Sequence, residues 1–195
     1  THIYLSSDAV LSAADTLLGT RPVTALAAGA PSVGSTPITI PAGTPAGSYY
    51  LIAKADGGGS VSETQESNNT SAEGVTIGPD LTAYVTTVTS PVQAGSLTTV
   101  RDSATNRGGS DAGPSMTRYY LSVNSALDAG DLLLAEGRPV PALAAGASNS
   151  GSASVTIPAG TAPGSYYVIV KADGDGSIAE SSETNNTWPR SIRVE

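Results

Sequence analysis

The stretch GSYYLIAKADGGGSVSETQESNNT, residues 47–70, returns at residues 164–187 as GSYYVIVKADGDGSIAESSETNNT, with 16 of 24 positions identical. A chain that repeats itself this closely folds as copies of one unit, so the unit sets the folding problem. An offset of 116 residues aligns HIYLSSDAVLSAADTLL with RYYLSVNSALDAGDLLL. After one inserted residue the offset becomes 117, and RPVTALAAGA falls on RPVPALAAGA, and TIPAGTPAGSYY on TIPAGTAPGSYY. Residues 79–116 have no counterpart upstream, because the first copy starts at Thr1 part-way through the unit. The expected organisation is residues 1–78 as an incomplete repeat and residues 79–195 as a complete one, each near the common domain size of about 100 residues.

The unit reads as β structure. Period-2 runs bounded by turn residues place strands near Leu81–Thr89, Leu97–Asn106, Met116–Ser122, Arg138–Val140, Ser152–Ile157, Tyr166–Ala172 and Ser191–Val194. The 22 Gly and 13 Pro, with abundant Ser and Thr, supply the tight turns between them. With no Phe, one Trp and one Met, the core falls to Val, Ile, Leu, Ala and the eight Tyr. The fold class expected is all-β: two tandem antiparallel β-sandwiches of immunoglobulin or fibronectin III type, the first lacking its N-terminal strands. On the strand after GS, Tyr166, Val168, Val170 and Ala172 form the inward face, and Tyr167, Ile169 and Lys171 the solvent face. The segments ALDAGDLLL and ALAAG each have the length of one helical turn, too short for a helix of the fold.

Net charge is −8, with −4 in each of residues 1–78 and 79–195, and there are only two lysines. Such a surface repels phosphate backbones, which argues against a nucleic-acid partner. No cysteine is present, which removes disulfides, thiolate catalysis and cysteine metal sites. No apolar run reaches the ~18 residues of a membrane span, and Thr1 does not begin a signal peptide, so the chain reads as a mature piece of something secreted or longer.

Several residues recur in both copies and carry some chemistry. Tyr49 and Tyr166 follow a Pro-Ala-Gly-Thr turn and open a strand, the position of a tyrosine corner whose hydroxyl bonds back to the backbone. The neighbouring Tyr50 and Tyr167 offer the alternative of stacking on carbohydrate. The acidic set Asp56, Glu63, Glu66, Asn68 and Asn69 recurs as Asp173, Glu180, Glu183, Asn185 and Asn186, with Asp175 added. Calcium takes six to eight oxygens, and such a set offers several, although its spacing matches no EF-hand loop. Asx turns and strand-end capping account for the same residues without metal, so calcium is the one cofactor in view and none is required. A second set, Asp8 and Asp15 matched by Asn124 and Asp131 with Asp128 nearby, divides the same way between capped loop and cation site.

Catalytic chemistry is thin. His2, the single histidine, becomes Arg118 in the other copy, so the complete repeat holds no Ser-His-Asp set. Glu180 and Glu183 could pair as glycosidase carboxylates but fall in a turn. Asn68, Asn69 and Asn185 lie in glycosylation sequons that matter only where the host modifies asparagine. The expectation is no enzyme.

The ordered signals PDL (Pro79, Asp80, Leu81), TNRGGSDAGPSMTRYYLS and PAGTAPGSYYVIVKADGDGSIAESSETNN resemble the CARDB family, cell-adhesion-related domains found in tandem on bacterial and archaeal surface proteins. The resemblance covers the second unit and the remaining two-thirds of the first. It implies an immunoglobulin-like sandwich, a prokaryotic cell-surface or extracellular location, an array of repeats, and no catalysis. The leading functional expectation is a structural or adhesive repeat whose partners are other copies of itself or adjacent repeats. The alternatives are a module that grips surface glycans or host proteins and an accessory domain of a secreted hydrolase. Without its first strands the first copy should expose Tyr49, Leu51 and Ile40 and leave strand edges open to another chain.

Overall fold

The computed structural model describes all 195 residues and divides them into two compact units, Thr1–Ile77 and Gly78–Glu195. The chain is all-β, and no helix is long and apolar enough to cross a membrane. Unit 1 is one antiparallel sheet of β1 (His2–Ser6), β2 (Thr16–Thr20), β3 (Gly47–Lys54) and β4 (Thr70–Ile77) in the order β2-β1-β3-β4. Its one helical element is a 3₁₀ turn at Glu66–Asn68.

Unit 2 has seven strands: β5 (Leu81–Val88), β6 (Leu97–Asn106), β7 (Ser115–Ser122), β8 (Leu132–Val140), β9 (Ser148–Thr156), β10 (Gly164–Lys171) and β11 (Thr187–Val194). They form a four-stranded sheet, β11-β10-β7-β8, and a three-stranded sheet, β5-β6-β9. Leu81, Val85, Val100, Val155 and Ile157 from the second sheet meet Tyr119, Val168, Val170 and Val194 from the first, all at most 1% exposed. The result is an immunoglobulin-like sandwich. After β5 the chain crosses over and runs parallel to the end of β11, where Val92 N–H donates to the Arg193 carbonyl at 2.9 Å, Glu195 N–H to Val92 at 3.0 Å and Ala94 N–H to Glu195 at 3.1 Å.

The four strands of unit 1 match β7, β8, β10 and β11, and β4 pairs with β3 over the full eight residues as β11 does with β10, despite having little sequence in common with it. What unit 1 lacks is the other sheet. Residues 31–39 correspond to β9, whose only ladder is with β6, and with no β6 to pair with they form no strand. They still run over β2, where a Cβ on Gly19 would lie 3.3 Å from Thr36 and 3.4 Å from Ile38.

The strand assignment needs correction in detail. Expected Arg138–Val140 and Ser191–Val194 are the visible parts of longer strands, β8 and β11, and expected Ser152–Ile157 covers the end of β9 and runs one residue past it; the remaining residues of these strands are too polar or too irregular to alternate. Neither ALDAGDLLL nor ALAAG makes a helical turn; the first runs through a loop into β8 and the second holds a bridge at Leu143. The face assignment on β10 is right for Val168, Val170 and Ala172, but Ile169, placed in solvent, is fully buried. It is paired between Tyr120 and Pro189 in the middle of the sheet, and neighbouring side chains on the outer face close over it. Tyr166, placed inside, is half-buried at the core margin.

Candidate functional site

Two clusters in unit 2 join the sheets, and unit 1 holds a partial copy of each. The first is built on the inward face of β6, where Thr98, Val100, Asp102, Ala104 and Asn106 alternate with exposed or half-buried residues. Asp102 is 1% exposed and accepts from Tyr119 hydroxyl (2.6 Å), Arg138 Nε (3.1 Å) and Arg138 Nη2 (2.5 Å). Arg138 in turn donates through Nη1 to Asn149 Oδ1 at 2.6 Å and through Nη2 to the Asn149 carbonyl at 3.4 Å. Three strands, β6 of one sheet and β7 and β8 of the other, thus meet at one carboxylate, and β9 joins them through Asn149 on Arg138. Burial, then Asp102 itself, pushes the Tyr119 hydroxyl far above the ordinary phenol range, so it stays a donor. Asn106, fully buried, donates to the Ser110 and Leu143 carbonyls and accepts from Asp80 and Gly108 N–H, leaving none of its polar groups idle.

The second cluster is the loop after β10, which holds the repeated acidic set. Asp173 adopts φ 41° and accepts from Ser177 and Ile178 N–H; Asp56 adopts φ 40° and accepts from Ser60 and Val61 N–H. The Val61 and Ser60 amides hold the Asp56 carboxyl below the usual carboxylate range. Glu180, 7% exposed, accepts from Asn186 Nδ2 at 2.8 Å and from Leu81 N–H at the start of β5. Ser181 N–H donates to the Pro79 carbonyl at 2.8 Å and Asn185 Nδ2 to Asp80 Oδ1 at 2.9 Å, so the loop grips the whole Pro79-Asp80-Leu81 segment. Burial raises Glu180 to about 7; the Leu81 amide opposes this, and Glu183 and Asp173 add to it.

The calcium candidates are thereby placed. Glu63 and Glu180 N–H donate to Glu66 and Glu183 Oε1, while Asn68 and Asp175 are exposed. No three carboxylates converge in a metal-ligating group. The second set caps its loops: Asp8 accepts from Val10, Asp15 from Ser12, Asn124 from Ala126, Asp131 from Asp128 and Asp128 from Gly130 N–H. Beside these loops each unit has an open concavity, about 330 Å³ in unit 2 and about 500 Å³ in unit 1. The Tyr49 hydroxyl donates to the Pro45 carbonyl at 3.0 Å and Tyr166 to Ala162 at 3.1 Å. Tyr50 and Tyr167 are half-buried.

Sequence reasoning passed over Asp102, Asn106 and Arg138. A signal existed: an inward-facing aspartate breaks the apolar alternation of LTTVRDSATN, and its arginine recurs as Arg21 in TRPVTAL.

Unit 1 shows what happens to such clusters without the second sheet. Val23 and Leu26 are 39% and 51% exposed, whereas their counterparts Val140 and Leu143 are 2% and 5% exposed. Full burial of each is worth about 1.5–3 kcal/mol, so the segment after β2 carries an unmet demand for apolar cover. Tyr49, Leu51 and Ile40, expected to be exposed, are half-buried, because the unit's own chain partly covers them.

Among known proteins, no curated sequence matches the chain. Solved structures resemble it at the level of fold: a CARDB domain from Pyrococcus furiosus crystallised in complex with di-metal ions (19% identity, TM-score 0.46, 60% of this chain and 90% of that one) and the same domain in solution (21%, 0.45, 60% and 96%). A Listeria innocua β-glucosidase in complex with gluconolactone matches over 60% of this chain but 16% of its own (16% identity, TM-score 0.41). The CARDB family model matches residues 3–73 and again 78–190. With both repeats matched, the chain belongs to the CARDB family.

Proposed function

We propose that this chain is a structural repeat of a prokaryotic extracellular surface protein or fibre, and that its units join end to end with neighbouring repeats. The observation that carries this reading is the contrast between a unit that closes its own core and one that presents the matching sheet alone, with Val23 and Leu26 in the segment after β2 uncovered. An open apolar side rimmed by unpaired backbone is a joining surface. The acidic charge and the absence of a catalytic set agree with a role in which contacts are the product. The test is the solution mass of residues 1–195 with limited proteolysis. Self-association, or faster cleavage of residues 1–77 than of 78–195, is expected. A monodisperse monomer with equally resistant halves would sink the reading.

A second reading, glycan binding, is favoured by one feature of unit 2. Tyr84 and Trp188 lie 48% and 42% exposed with ring centroids 4.8 Å apart, an aromatic surface with which a sugar ring could stack. Quenching or shift of Trp188 fluorescence on titration with soluble polysaccharides checks it.

A further inference from the structure

Unit 1 keeps the parts of both inter-sheet clusters that belong to its own sheet and loops. Arg21 occupies the place of Arg138. Its Nη1 donates to Ser32 Oγ at 3.0 Å and its Nη2 to the Ser32 carbonyl at 3.2 Å, the same two contacts that Arg138 makes with Asn149, the counterpart of Ser32. Gly34 packs against its side chain, 3.1 Å from a built Cβ to Cδ, as Gly151 does against Arg138. The guanidinium is therefore held in the pose of the ion-paired arginine, with no carboxylate in contact.

The loop after β3 is prepared in the same manner. Glu63 N–H donates to Glu66 and Glu63 Oε2 accepts from Asn69 at 2.6 Å, repeating the bonds of Glu180. Its Oε1 has no protein partner, whereas in Glu180 the other oxygen takes the Leu81 amide. A cation and an acceptor, both positioned, are thus aimed at a strand pair that unit 1 does not contain.

We infer that the uncovered side of unit 1 is the seat of a β-hairpin of β5–β6 chemistry: a Pro-Asp-Leu start held by the Glu63 loop and, 21 residues after the leucine, an inward aspartate that pairs with Arg21. Charge complementarity selects this occupant over a merely apolar one, because a guanidinium closed under an apolar cover would lose hydration without gaining a partner. The second strand of the hairpin also gives residues 34–40, GSTPITI against GSASVTI of β9, the ladder they lack. Ile3 stands where Tyr119 supplies a hydroxyl, so the seated aspartate has one donor fewer than Asp102. This inference rests on the proposed end-to-end joining and names the chemistry of the joint.

The experiment grafts a second copy of residues 79–116 in front of Thr1 in the full chain, a junction that reproduces Met116–Thr117 because Thr1 aligns with Thr117. Unit 2 serves as the internal control. Cleavage of residues 1–77 is expected to slow by about tenfold or more, since proteolysis follows the population of the open form. Arg21→Met should return most of that protection in the grafted chain and change nothing in the ungrafted one. Reversing the pair, Arg21→Asp with Asp102→Arg in the grafted copy, should protect better than either change alone. No slowing on grafting, or slowing indifferent to Arg21 and to Glu63→Gln, overturns the inference. A graft that closes unit 1 while the ungrafted chain never associates supports the inference and defeats only the array reading.

Discussion

Strands β3 and β10 differ at two of eight positions, GSYYLIAK against GSYYVIVK, and yet their burial diverges where it matters. Ile52 and Ile169 are fully buried in both. Val168 and Val170 are equally buried, whereas Leu51 and Ala53 in the same places are half-buried. One sheet is enough to bury the residue on its outer face, because cross-strand neighbours close over it. The opposite face gains most of its burial from a second sheet, although Leu5, 7% exposed in unit 1 as its counterpart Leu121 is 8% exposed in unit 2, is closed over without one. The two units thus separate what a strand sequence supplies by itself from what a partner layer must add.

The largest test of that separation is a charge on the inward face. Val170→Asp should unfold unit 2, at a cost of about 4–5 kcal/mol or more, while Ala53→Asp in unit 1 should cost about 1 kcal/mol or less. Urea denaturation with Trp188 fluorescence for unit 2 and proteolysis for unit 1 reads both. Equal costs would mean that the inward face of unit 1 is already covered.

Next come the arginines. Arg138→Met leaves Asp102 buried without its counter-ion and should destabilise unit 2 by about 3–5 kcal/mol, whereas Arg21→Met should change unit 1 by about 0.5 kcal/mol at most. Calorimetry on each variant decides it, and a comparable loss at Arg21 would reveal a carboxylate partner within the chain.

A smaller difference concerns pH. Glu180 titrates near 7 in the folded state against an ordinary 4.5, so the folded state holds more protons between those values. Stability of unit 2 should therefore fall as pH rises from about 4.5 to 7, by about 2 kcal/mol, and level off above. Glu180→Gln should flatten the slope measured by thermal melts across that window; an unchanged slope would assign it to another group.

The smallest effect should be the same in both units. Tyr166→Phe and Tyr49→Phe each remove a hydroxyl bond to a carbonyl four residues back, at about 1 kcal/mol apiece. Because that bond is internal to one loop, the missing sheet should not alter it. Unequal costs in paired urea titrations would show that the corner also depends on the second sheet.

The pattern of what was legible follows the same line. Alternation in LTAYVTTV and YYVIVKA, with Gly and Pro between runs, located the strands and the sandwich, since period-2 burial is a local property. Ile169 was misplaced because alternation assigns faces and says nothing about how well the outer face is covered. Asp102 was missed for the converse reason: a charge in a strand reads as solvent-facing unless its partner, 36 residues away at Arg138, is known to meet it. The failure of residues 31–39 to form a strand is only partly legible locally: GSTPITI alternates as GSASVTI does, Pro31 and Pro37 in the places of Ser148 and Ser154 weaken the run, and the absent neighbour removes its ladder.

The parallel bonds between Val92–Ala94 and the end of β11 also have a mechanical meaning. Tension between Gly78 and Glu195 pulls the two paired segments past each other along their length, so the Val92, Ala94 and Glu195 bonds are loaded together in shear and do not open one at a time. Upstream of them, Gly78, Pro79 and Asp80 are tied to Gly109, Ser181 and Arg107 through their carbonyls, and a Cβ on Gly108 would lie 2.3 Å from the Gly78 oxygen. The pulled end of the unit has no slack, and a force reaches the clamp without first paying out chain.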